Sequence, residues 1–227
     1  MNALQRMIKD IEQEARWTRH LTGKEALDPR VIAAMGQVPR HAFVPEDLTY
    51  LAYENGPIPI GAGQTISQPY IVALMTDLLK TRPTDRILEI GTGSGYQAAV
   101  LSQLVQKVYS VEIIESLAEK ARRRLSKLGY DNVEVRTGDG YFGWPEHAPY
   151  DGVIVTAAAP YIPPALIEQL KNGGRLVIPI GLPHGYQELK LIEKANKEIK
   201  IQTVLSVSFV PLTGRHDPDS TDDAHET

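Results

Sequence analysis

Residues 86 to 102 read RILEIGTGSGYQAAVLS, a short apolar run carried straight through three alternating glycines into a second run of helical composition. A chain that turns from strand to helix in so few residues needs backbone conformations that a Cβ resists, and Gly91, Gly93 and Gly95 supply them. The same turn leaves unhindered N–H groups at a helix N-terminus, where a ligand can approach the backbone closely. The pattern around it repeats. KVYSVEI at 107 to 113 predicts a second strand, LAEKARRRLSKLG at 117 to 129 a helix ending on glycine, and VEVRTGD at 133 to 139 a third strand. YDGVIVTAA at 150 to 158 predicts a fourth strand, PALIEQL a helix closed by Gly173 and Gly174, and RLVIPIG a fifth strand. Such alternation predicts an α/β, Rossmann-like, doubly wound fold: a mostly parallel sheet with helices on both faces.

Both ends depart from that rhythm. Leu4, Met7, Ile8, Ile11 and Ala15 recur at helical spacing and predict an amphipathic N-terminal helix; Pro29, behind Asp28, opens a second that runs to Met35. Residues 38 to 70 are rich in Pro and Gly and show no clear period, so an ordered functional loop is expected there. Helical spacing returns from Tyr70 to Leu79. After Gly181, LKLIEKA and IKIQTVLSVSFVPL have no crossover helix between them, which predicts antiparallel edge strands. The expected organisation is one domain over 1–214, made of N-terminal helices and a substrate-side loop (1–69), a ligand-binding core (70–181) and C-terminal strands (182–214). Residues 215–227, RHDPDSTDDAHET, are expected to form a flexible acidic tail.

Composition works mainly by exclusion. A chain of 227 residues, 42% hydrophobic and 23% charged, is ordinary for a globular protein. Its net charge of -4 argues against general nucleic-acid affinity, which needs a phosphate-neutralising surface. Without cysteine there is no disulfide, thiolate metal site or cysteine nucleophile. The six histidines form no helical H-x-x-x-H pair, so no metal is expected. The N-terminal residues mix charges into every turn, unlike a secretory signal, and no apolar run approaches the roughly 18 residues of a membrane span. A cytoplasmic monomer without membrane contact is the expectation.

The spacing of the glycines is G-x-G-x-G, where a dinucleotide fold prefers G-x-G-x-x-G. Two acids fall where a parallel sheet delivers them to the crevice at its C-terminal edge. Glu112 ends the second strand, where its carboxylate can accept from both hydroxyls of a ribose; Asp139, in the GDG of Gly138 to Gly140, can accept from an adenine amino group. Either acid alone is also a reasonable helix cap. No P-loop lysine pattern occurs, and no Arg or Lys opens the glycine helix to meet a phosphate. S-adenosylmethionine suits this set best: its carboxylate can rest near the helix N-terminus beside Gly91, Thr92, Gly93, Ser94 and Gly95, while Glu89 faces its cationic end. NAD is the runner-up.

The segment PIPIGAGQTISQPY at 57 to 70 places Gln64, Thr65, Ser67 and Gln68 in a glycine-rich loop ahead of this core. Together with EIGTGSGYQAAVLSQL, GDGYFGWPEHAPYDGVIVTAAAP, LIEQLKNGGRLVIPIG and FVPLTG, it closely resembles the protein-L-isoaspartate O-methyltransferase family, over about Val38 to Gly214. The resemblance implies methyl transfer from S-adenosylmethionine to the α-carboxylate of isoaspartyl residues in damaged proteins, leaving S-adenosylhomocysteine, and succinimide-mediated repair. It makes Ser67 the active-site serine and sets Val210, Pro211 and Leu212 beside an extended substrate peptide. Ser67 is expected to orient a carboxylate oxygen, with capping of the helix near Pro69 as its plainer role. Thr65 and Gln64 are weaker candidates for substrate contact, since polar residues in a Gly-rich loop more often stabilise turns, and His41 is expected to order its loop. A methyltransferase acting on a small molecule or RNA, and a nucleoside-binding module without turnover, are the alternatives. A serine hydrolase fits poorly, because TISQP is not the G-x-S-x-G elbow.

Overall fold

The computed structural model describes residues 1–183, 185–196 and 198–214. The tail expected from residue 215 onward lies outside the described residues. The N-terminal helix α1 (Ala3–Trp17) begins with a reciprocal cap in which the Asn2 side chain accepts from the Gln5 amide and Gln5 returns the bond to the Asn2 backbone. Its buried residues, Met7, Ile11 and Ala15, stand four apart on one stripe. A single turn, α2 (Arg19–Thr22), follows, and α3 (Pro29–Gln37) has Pro at its first position and the Asp28 carboxylate accepting from the Arg30 amide.

The segment expected to be a loop contains two 3₁₀ turns, Arg40–Phe43 and Glu46–Leu51, and a small antiparallel hairpin of β1 (Ile58–Gly61) and β2 (Gln64–Ile66). Ala62 and Gly63 link its strands with positive φ at both positions. Strands of four and three residues are too short to show a period, and alanine in a left-handed turn gives no signal. The hairpin leads directly into α4 (Pro69–Leu78), which is buried almost all round.

The core then alternates as expected: β3 (Arg86–Ile90), α5 (Tyr96–Ser102), β4 (Lys107–Glu112), α6 (Glu115–Lys127), β5 (Val133–Thr137) and β6 (Tyr150–Val155). One expectation fails next. The helix α7 is only Pro164–Glu168, and Gly173 and Gly174 do not close it; they lie inside the long strand β7 (Leu170–Gly181). Gly174 is required there because a Cβ would stand 2.9 Å from the Asp151 and Lys171 carbonyl oxygens, at the place where the register of β6 on β7 shifts. Two further strands, β8 (Gln187–Ala195) and β9 (Glu198–Val207), return antiparallel.

The seven-stranded sheet has the order β5-β4-β3-β6-β7-β8-β9, parallel from β5 to β7. Successive residues of each strand serve opposite faces. Ile87, Val108, Ile154 and Val177 join the cluster formed with α1, α3, α4, α5 and α6, whereas Leu88, Tyr109, Val153 and Leu176 face a second cluster covered by α7, Trp144 and Tyr150. The two faces are therefore covered unequally, the long helices sharing one side. The order reverses between β3 and β6, so the crevice at their C-terminal ends is the switch point of the fold.

Candidate active site

Gly91 leaves β3 with φ 92°, and a Cβ there would lie 2.5 Å from Thr156 Oγ1 at the end of β6. The two strand ends are thus locked together: Thr156 donates to the carbonyls of Ile90 and Gly91 at 3.1 and 2.6 Å. Gly93 N–H points at Glu112 and donates to its Oε2 at 2.7 Å, while Ile114 N–H donates to Oε1 at 3.0 Å. A carboxylate has about four lone-pair directions, so Glu112 keeps acceptor capacity toward the cleft that it lines. Gly140 also lines that cleft, with Ile90, Gly91, Gly93 and Thr156.

Thr92 and Ser94 turn their side chains inward. Thr92 hydrogen-bonds the Ser110 hydroxyl at 2.5 Å, and the Ser94 hydroxyl accepts from the Tyr96 amide at 3.3 Å. Both residues therefore offer backbone rather than side chain to a ligand. The Ser94 carbonyl is held by Arg124 at 2.8 Å, a cation that α6 brings to the glycine turn from thirty residues away. Gly138 N–H is used by the Glu112 carbonyl at 2.9 Å.

Glu89 does not face the cleft. It shares a face of β3 with Ile87, is completely buried beneath the turn, and accepts from Ser110 at one oxygen, with the Ala98 backbone N–H also turned toward the carboxyl. Burial pushes its carboxyl up to about 8, the Glu112 charge adding to the effect and the Ser110 hydrogen bond opposing it. Period-two alternation, applied to Ile87 and Ile90, was the signal that would have placed it there. Asp139 caps the short 3₁₀ turn Gly140–Phe142, its Oδ1 accepting from Tyr141 N–H at 2.9 Å, and Gly214 packs against its carboxylate.

Next to the cleft lies a cavity of about 550 Å³ lined by Ser67, Gln68, Tyr70 and Phe209 among others. Thr65, Thr156 and Val210 line both spaces and form the wall between them. Val210 thus borders the cavity, but Pro211 and Leu212 line the cleft instead. The 210–212 segment is pinned to the end of β6 by Ala158 N–H to Val210 O and Leu212 N–H to Ala158 O, both 2.8 Å, and with Gln64 and Thr65 it leaves the cleft narrow. Gln64 itself donates to the Ala62 carbonyl at 3.4 Å, a turn contact. His41 hydrogen-bonds the Tyr53 hydroxyl at 2.6 Å, ordering the loop as expected.

The Ser67 hydroxyl makes no hydrogen bond with the described residues, and α4 has no side-chain cap. Its backbone is held firmly. Arg40, fully buried, donates from Nη2 to Ser67 O and from Nε to Ala52 O, both at 2.8 Å, and lies 4.8 Å over the Tyr96 ring. Among the described residues no carboxylate forms an ion pair with it; burial depresses its guanidinium's affinity for the proton, with Tyr96 and Tyr53 opposing the effect. Sequence reasoning missed Arg40, Thr156 and Arg124. Only Thr156 left a trace, as the polar residue closing an apolar strand.

The family model for protein-L-isoaspartate(D-aspartate) O-methyltransferase matches residues 15–217. The chain belongs to this family. Protein-L-isoaspartate O-methyltransferase 2 of Syntrophobacter fumaroxidans is 60% identical over 93% of this chain and 86% of its own length. A solved protein-L-isoaspartate O-methyltransferase is 32% identical with a TM-score of 0.77, the match covering 89% of this chain and 66% of that one. A Plasmodium falciparum protein, solved in complex with S-adenosyl-L-homocysteine, shares the fold at 24% identity and a TM-score of 0.72, over 90% of this chain and 97% of that one. Among the described residues no helix is long and apolar enough to cross a membrane.

Proposed function

We propose that this protein methylates the α-carboxylate of L-isoaspartyl residues in damaged proteins, using S-adenosylmethionine, and so starts their repair through a succinimide. The observation that carries the reading is the shared wall of Thr65, Thr156 and Val210, which joins a cleft built for a nucleoside to a cavity large enough for a peptide. The cleft suits S-adenosylmethionine. Glu112 retains acceptors for ribose hydroxyls, and Gly91 and Gly93 line the cleft without a Cβ. Gly140 lines the adenine end in this assignment; Gly138 and Asp139 precede it in the chain and do not line the cleft themselves. Entry requires the 210–213 segment to move outward from β6.

Bound S-adenosylmethionine supplies a methyl group made electrophilic by its sulfonium. An isoaspartyl α-carboxylate, with an ordinary pKa of about 3.5, is already ionised at neutral pH and needs no general base. The protein's work is alignment and exclusion of water, and good alignment is worth roughly 7 to 11 kcal/mol of barrier. Ser67, whose hydroxyl is uncommitted, donates a hydrogen bond to one carboxylate oxygen, and Arg40 fixes the backbone from which it does so. The buried guanidinium also places positive charge behind the serine, favouring an anionic substrate group at that end. Thr65 and Val210 flank the peptide in this reading, with Leu212 acting from the cofactor side.

The test uses labelled S-adenosylmethionine and paired peptides that differ only in an aspartyl or isoaspartyl linkage. Base-labile label on the isoaspartyl peptide alone is expected. Equal labelling of both peptides, or of neither, would overturn the assignment.

A further inference from the structure

The peptide cavity has one charged side chain among the described residues that line it, Glu14 on the last turn of α1. Its carboxylate is tightly held. Asn55 Nδ2 donates to Oε2, and Gln68 Nε2 donates to Oε1 and Oε2 at 3.2 and 3.1 Å. Asn55 is itself fixed, since its carbonyl oxygen accepts from the Tyr70 amide at 3.2 Å where α4 begins. Amide groups solvate the carboxylate but do not neutralise it, and among the described residues no Lys or Arg forms an ion pair with it.

Neighbouring residues of the substrate loop are therefore tied to opposite charges. Ser67 is anchored to the Arg40 guanidinium and Gln68 to the Glu14 carboxylate. A cavity with this polarity does not receive all peptides equally. The Glu14 carboxylate in its wall attracts a positive group and repels a second carboxylate, while the Arg40 charge lies behind the Ser67 backbone and outside the lining. The cavity's 550 Å³ also leaves room for more than the isoaspartyl residue itself.

We propose that Glu14 is a specificity residue, selecting isoaspartyl segments that carry a Lys or Arg close to the damaged residue and disfavouring those with a further Asp or Glu. The proposal rests on the assignment of this cavity to the peptide substrate. Sequence patterning alone treats Glu14 as one more solvated charge on an amphipathic helix; the contact with Gln68, beside Ser67, gives it a position in the site.

Sets of three isoaspartyl peptides, identical except for Lys, Gln or Glu at one position, with one set for each of the two residues on either side of the damaged one, test it. With saturating S-adenosylmethionine, the wild-type kcat/KM for the Lys peptide is expected to exceed that for the Glu peptide by about tenfold at one or more positions, equivalent to about 1.4 kcal/mol. In Glu14→Gln the ratio should collapse toward unity, and in Glu14→Lys it should invert. Because the ratio is taken within one variant, a general loss of activity or folded fraction does not disturb it. The same Lys-to-Glu ratio in wild type and both variants would overturn the proposal. Failure of the wild type to methylate even the Gln peptide would instead overturn the methyl-acceptor reading, and this proposal with it.

Discussion

At the level of single residues, the site separates groups that touch a ligand from groups that hold them. Ser67 has an uncommitted hydroxyl in the cavity wall, so Ser67→Ala removes one donor without opening the fold. One hydrogen bond to a charged group is worth roughly 1.5 to 3 kcal/mol. Turnover of an isoaspartyl peptide should therefore fall by about ten- to a hundredfold, while calorimetry finds S-adenosylhomocysteine affinity unchanged. Unaltered kcat would end the orienting role. Glu112 is the complementary case, because its carboxylate already organises the Gly93 and Ile114 amides and still faces the cleft. Glu112→Ala should weaken cofactor binding by roughly tenfold or more, through lost ribose acceptors and a loosened turn. Wild-type affinity in the same titration would refute the ribose assignment.

Among the elements, those that the chain builds locally were legible in advance and those assembled from afar were not. The strand, glycine turn and helix at β3 and α5 announce themselves because Gly91, Gly93 and Gly95 sit between two apolar runs, and Glu112 follows from its place at a strand end. Arg40 could not be read, since nothing in RHAF shows that its guanidinium reaches Ser67, 27 residues away. The depth of Glu89 was readable from strand alternation, yet the pull of an acid toward a cationic ligand argued the other way. Arg40→Met tests the element that Arg40 ties together, the loop from Ala52 to Ser67. Left without this donor, the carbonyls of Ala52 and Ser67, at about 1 to 3 kcal/mol each, and the more distant one of Gly56 should lower the unfolding free energy measured in urea and reduce kcat more than cofactor affinity. Unchanged stability and kcat would show the loop to be self-supporting. The 210–212 segment offers a second check. Saturating S-adenosylhomocysteine should alter hydrogen exchange at Leu212 N–H, which bonds Ala158 O, if the segment moves to admit a nucleoside; identical exchange with and without ligand would contradict that movement.

For the molecule as a whole, the unusual term is an acid sealed in the main core beneath the ligand turn. The Glu89 carboxyl is held near 8 in the folded protein, against an ordinary value of 4.5, chiefly because burial disfavours its charged form. Between those two values the folded state keeps a proton that the unfolded chain has lost. Stability from this group is then complete below about pH 4.5, declines as pH rises, and is gone above about pH 8, with a limiting slope of about 1.4 kcal/mol per pH unit. Glu89→Gln removes the titration while keeping the shape. Any cost of the buried amide is independent of pH, so the informative quantity is the difference in unfolding free energy between wild type and variant. Urea unfolding at pH 5, 6, 7 and 8 should show that difference falling steadily against the wild type as pH increases. A difference that stays constant across the series would mean that Glu89 is ionised in the folded state, and that the proton assigned to the floor of the cofactor turn is not there.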